Sequence, residues 1–119
     1  MVSKYHLYNM FEKLSKMFKE NLKRSLNKKD INKKELVRFL KEGAILVDVR
    51  SPQEYREGHL EGAILIPEYE LISKHSKIFK SKDETIIVYC SNGLRSKKGQ
   101  RKLEKLGYTN VYNLVNDLK

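Results

Sequence analysis

The chain has 119 residues, with 25 Lys and Arg against 15 Asp and Glu and a net charge of +10. A domain of this size buries roughly two-thirds of its unfolded surface and needs neither disulfide nor metal to fold. No apolar run approaches the ~20 residues of a membrane span, no signal-peptide core opens the chain, and the single cysteine, Cys90, excludes an internal disulfide and with three histidines makes a poor zinc site, so a cytoplasmic protein with no metal is expected.

Residues 1–34 hold ten of the basic side chains and three acidic ones, so a basic segment precedes a nearly balanced body. Within it, Tyr8, Phe11, Leu14, Phe18 and Leu22 recur at three- and four-residue steps and predict an amphipathic helix over 5–27. Residues 1–30 are read as a helical extension and 31–119 as the main domain. Large apolar stripes rarely stay bare, so this helix is expected to pack or to form a homodimer, not to bind nucleic acid or a membrane. Residues 27–30 form a polar break. Asn32 with Glu35 has capping-box spacing, Leu36, Val37, Phe39 and Leu40 supply an apolar face, and Gly43 ends this second helix.

Residues 44–49, Ala-Ile-Leu-Val-Asp-Val, are continuously apolar until the aspartate, the pattern of a parallel strand buried on both faces. Ser51, Pro52 and Glu54 then start a short helix that stops at Gly58. Residues 63–66 read as a strand closed by Pro67, and 68–73 as a short helix. Residues 85–89, Thr-Ile-Ile-Val-Tyr, are the strongest strand signal. A tight loop over 90–94 leads into a helix over 95–106 that ends at Gly107, and 110–114 form a last strand. Apolar strands alternating with helices imply an α/β fold, a parallel sheet of four to five strands with helices on both faces.

Such sheets place ligands beyond the carboxyl ends of their strands. Two loops of chemical interest fall there, Asp48-Val49-Arg50 and Cys90 to Ser96. In the second, a strand runs through a glycine loop directly into a helix. Loop amides can converge above the thiol, and the helix start adds unpaired donors and a positive dipole end. The dipole supplies about 0.3–1 kcal/mol, less than one pKa unit at 1.36 kcal/mol per unit. Converging N–H donors are therefore expected to do most of the lowering of the Cys90 pKa, with Arg95 helping, so that no histidine base is required. A buried cysteine of packing use only is the competing reading. Strand, loop glycine, arginine and helix start occurring together favour a reactive thiol.

Three ordered motifs, residues 46–50 (Leu-Val-Asp-Val-Arg), 54–64 (Glu-Tyr-Arg-Glu-Gly-His-Leu-Glu-Gly-Ala-Ile) and 87–96 (Ile-Val-Tyr-Cys-Ser-Asn-Gly-Leu-Arg-Ser), resemble the single-domain rhodanese (thiosulfate sulfurtransferase) family from about Ile31 to Leu114. The resemblance implies a rhodanese-like fold, to which the N-terminal helix is extra, and a sulfurtransferase with no cofactor. Cys90 would take a sulfane sulfur as a persulfide from a small anionic donor, thiosulfate or another persulfide. It would pass that sulfur to cyanide, a small thiol or a thioredoxin-like acceptor. Ser91, Asn92, Gly93, Leu94 and Ser96 would cradle the donor, and Arg95 would hold its charge. The loop between Cys90 and Arg95 is one residue shorter than in related phosphatases and arsenate reductases, which favours sulfur transfer. A persulfide-binding or sensing module acting through a protein partner is the alternative.

Family loops often carry a charged or amide side chain where this chain has Ser91; Lys97 and Lys98 are expected to compensate at the rim. Asp48 and Arg50 are expected to support the loop, and His59 to be hydrogen-bonded, not a base. The chain also stops soon after the last strand, where the family usually continues with a helix; the 5–27 helix is expected to cover that face.

Overall fold

A computed structural model describes residues 29–115 and, before them, Lys13, Ser15 and Lys16 alone. Apart from those three residues, which are helical, the helix expected over 5–27 lies outside the described residues, as do its proposed covering role and the homodimer assigned to it. The elements run β1 (Asp30–Ile31), α1 (Lys33–Lys41), β2 (Ile45–Asp48), α2 (Pro52–Glu57), β3 (Ile64–Leu65), a 3-10 turn (Glu68–Glu70), α3 (Leu71–Ile78), β4 (Thr85–Tyr89), α4 (Leu94–Lys105) and β5 (Asn110–Leu114). The five strands form one sheet in the order β1-β5-β4-β2-β3, all pairs parallel. This is the α/β architecture expected from the alternation of apolar strands and helices.

Two expectations change. The polar break over 27–30 ends in a strand: Asp30 and Ile31 pair with Asn113 and Leu114, and the Val115 amide donates to the Ile31 carbonyl at 2.9 Å. A two-residue edge strand is too short to show a period of two. The short helix expected over 68–73 is a 3-10 turn followed by a helix that continues to Ile78. Leu71, fully buried against the sheet, anchors it.

Side-chain alternation builds two cores. Ile86 and Val88 face one side with Val47, Val111, Leu71 and Leu103, beneath α3 and α4. Ile87 and Tyr89 face the other with Leu46, Leu114 and Leu36, beneath α1. Gly99 sits mid-way along α4 where a Cβ would come within 2.9 Å of Leu71 Cδ1. Its missing side chain is what lets α4 lie close over α3. Both helix starts read from the sequence carry complete capping boxes: Asn32 with Glu35 on α1, and Ser51 with Glu54 on α2.

Candidate active site

The strand order decides where a ligand can sit. From β2 the chain steps outward to β3, and from β4 it steps the other way to β5. The loops after β2 and β4 therefore diverge and open a crevice at the carboxyl ends of the central strands. A cleft of about 430 Å³ lies there, lined by Lys33, Arg50, Gly58, His59, Leu60, Tyr89, Cys90, Ser91, Leu114 and Val115.

Cys90 follows β4 and continues its parity. Ile86, Val88 and Cys90 lie in the same core, so the thiol points toward the start of α4. It is 6% exposed. Gly93 adopts φ +86°, a conformation other residues rarely hold, and so turns the loop back over the sulfur. The Gly93 amide donates to Sγ at 3.1 Å and the Ser96 amide at 3.3 Å. Ser96, itself buried, places its hydroxyl 3.2 Å from Sγ.

Burial is the largest single influence on the thiol and pushes its pKa up. The Ser96 hydroxyl, the Ser96 amide and the Asn92 and Gly93 amides together outweigh it, and the net direction is down from the ordinary thiol value. The cradle is narrower than the whole 91–96 loop. The Leu94 amide donates instead to Asn92 Oδ1 at 3.1 Å, and the Leu94 side chain is 74% exposed.

Arg95 lies beside the sulfur loop but is already paired. Its Nη1 and Nη2 donate to Glu54 Oε1 and Oε2 at 2.6 and 2.9 Å, and Nη2 also donates to Ser91 Oγ at 2.8 Å. The Arg95 guanidinium, with help from the Ser51 amide, brings the Glu54 carboxyl down to about 2. Lys97 does not serve the rim; it pairs with Asp30 of β1 at 2.8 Å. Lys98 is exposed on α4.

Asp48 and Arg50 form the floor opposite. The fully buried Asp48 accepts from the Arg50 backbone amide, from Arg50 Nε and Nη2, and from the Tyr89 hydroxyl at 2.8 Å. Arg50 Nη2 also donates to the Gly58 carbonyl, and the Tyr89 hydroxyl accepts from the Leu60 amide at 3.0 Å. The network therefore ties the 58–60 wall of the cleft to β2 and β4. Burial, reinforced by Asp48, pushes the Tyr89 phenol up to about 12, so it stays a protonated donor. His59 stacks on Tyr55 with ring centroids 3.6 Å apart, and its Nδ1 lies 2.8 Å from the Tyr55 carbonyl. A carbonyl can only accept, so Nδ1 carries the proton.

Sequence reasoning treated Glu54 only as a cap and did not reach Tyr89 or Lys33. Glu54 meets Arg95 across 41 positions of chain, a separation that no local pattern reports. Among the described residues no cluster of His, Cys, Asp and Glu could hold a metal ion.

The family model described as "Rhodanese-like domain" matches residues 28–119. Thiosulfate sulfurtransferase PspE of Escherichia coli is 37% identical over 67 residues, covering 56% of this chain and 64% of that protein. An uncharacterized protein of Bacillus subtilis, YqhL, is 38% identical over 76 residues, covering 64% and 59%. The chain thus spans less than two-thirds of the length of these relatives. Among solved structures, the human single-domain sulfurtransferase TSTD1 superposes with a TM-score of 0.66 at 27% identity, covering 73% of this chain and 88% of that one.

Proposed function

Because this chain belongs to the rhodanese-like family, we propose that it is a sulfurtransferase whose Cys90 carries the sulfur. The observation that supports this reading most directly is the sulfur cradle: two loop amides and one hydroxyl converge within 3.3 Å of Cys90 Sγ. The thiolate is the nucleophilic form of cysteine, and these donors favour it without a histidine base.

In the first half-reaction, Cys90 Sγ attacks the outer sulfur of thiosulfate. A Cys90 S–S bond forms, the donor's S–S bond breaks, and sulfite departs with the electron pair. In the second, a thiolate or cyanide attacks the terminal sulfur of the persulfide. The Cys90 thiolate leaves, and a new persulfide or thiocyanate is released. One relative, PspE of Escherichia coli, is named a thiosulfate sulfurtransferase, which supports sulfur transfer in general.

Intact-mass spectrometry of the reduced protein after incubation with thiosulfate tests the reading. The expected result is a gain of one sulfur atom on wild type, removed by cyanide or dithiothreitol and absent from Cys90→Ser. No gain with thiosulfate or with an organic persulfide overturns it.

A further inference from the structure

The arginine of the sulfur loop is already bound to a carboxylate. Its pair with Glu54 is bidentate, the stronger class of charge-assisted contact. Yet the two side chains remain 39% and 32% exposed, so water and small anions reach them. The pair borders the cleft through Ser91, whose hydroxyl accepts from Arg95, and the cations that line the cleft are arranged differently. Arg50 is committed to buried Asp48, and Lys33 stands exposed at the first turn of α1.

We propose that Glu54 sets the charge selectivity of the sulfur donor by competing with it for Arg95. With the carboxylate in place, a donor meets a neutral Arg95–Glu54 pair. Thiosulfate carries two negative charges and gains a full counter-charge only by displacing Glu54. An alkyl persulfide, with at most one negative charge, loses less when that displacement does not occur. Both donors react by the same exchange. Cys90 Sγ bonds to the terminal sulfur, the donor's S–S bond breaks, and sulfite or the alkyl thiolate leaves with the electron pair. This inference rests on the sulfurtransferase reading for its turnover consequence but not for its binding consequence.

Glu54 is also the N3 residue of the α2 capping box, its Oε1 accepting the Ser51 amide at 3.1 Å. Glutamine serves equally at that position, so Glu54→Gln removes the charge and keeps the cap. Ser51→Ala does the reverse.

Thiosulfate is titrated calorimetrically into the full chain carrying Cys90→Ser, alone and combined with Glu54→Gln or with Ser51→Ala. The expected result is binding at least tenfold tighter with Glu54→Gln, with a steeper dependence on ionic strength, and no tightening with Ser51→Ala. In the Cys90 protein, Glu54→Gln is expected to raise the ratio of kcat/KM for thiosulfate to that for benzyl hydropersulfide at least tenfold, through the KM for thiosulfate. Equal or weaker thiosulfate binding in Glu54→Gln overturns the proposal, because Glu54 then orients Arg95 instead of competing for it. Equal tightening by Ser51→Ala overturns it as well, since loosening of α2 would then be the cause. Tighter binding with no sulfur loaded on Cys90 from either donor leaves the Glu54 inference standing and removes the sulfurtransferase reading.

Discussion

At Cys90 a proton has two arrangements of equal geometry. The Ser96 hydroxyl lies 3.2 Å from both Cys90 Sγ and the Gly93 carbonyl. With the thiol protonated, S–H donates to Ser96 Oγ and the hydroxyl donates to Gly93. With the thiolate, the hydroxyl turns to sulfur. The Gly93 carbonyl keeps the Lys97 amide at 3.1 Å, so nothing buried is left unpaired when the hydroxyl moves. A hydrogen bond to a charged group contributes about 1.5–3 kcal/mol. Ser96→Ala is therefore expected to slow alkylation of Cys90 by iodoacetamide about tenfold below neutral pH. It should also move the inflection of the rate against pH upward, because fewer donors then oppose the burial that raises the thiol pKa. An unmoved inflection would assign the lowering to the amides alone.

At the scale of elements, α2 joins a local rule to a distant partner. Its capping box is legible in four consecutive residues, Ser51 to Glu54, whereas the Arg95 contact exists only because α4 starts beside it. The pair has an acid signature. The folded carboxyl lies at about 2 against an ordinary 4.5. Its contribution is complete above pH 4.5 and is lost as pH falls through about 2. Half-exposed pairs contribute at most about 1 kcal/mol. Unfolding by urea at pH 5 and at pH 3 should show wild type losing more stability than Glu54→Gln over that interval, by no more than that amount. Parallel losses would mean that the pair contributes nothing net.

At the scale of the molecule, Asp48 joins parts distant in sequence. It lies in β2, accepts from Tyr89 on β4, and through Arg50 reaches the Gly58 carbonyl of the cleft wall. Removing one partner of a buried, multiply bonded charge costs about 3–5 kcal/mol. Asp48→Asn is expected to destabilise the protein by about 3 kcal/mol in denaturant titration and to loosen residues 58–60, read as faster amide exchange at Leu60. Destabilisation below about 1 kcal/mol would reduce the network to an ordinary surface pair.

Apolar runs and spacings were enough to read β2, β4, β5 and α1, and cap residues to read α2, and with them the parallel α/β sheet, because each depends on neighbours within a few positions. The cradle of amides around Cys90 was legible for the same reason: a strand end, a left-handed glycine and a helix start are consecutive. The β1 edge strand, the length of α3, the pairing of Lys97 with Asp30 and the clamp of Glu54 on Arg95 were not legible. Each is settled by partners up to 84 positions apart, as when Ile31 meets the Val115 amide. The chain's local chemistry thus determined that Cys90 sits under converging donors at a strand end. Tertiary structure decided which charges face that sulfur, because a cation and an anion far apart in sequence neutralise one another only after the sheet has brought their helices together.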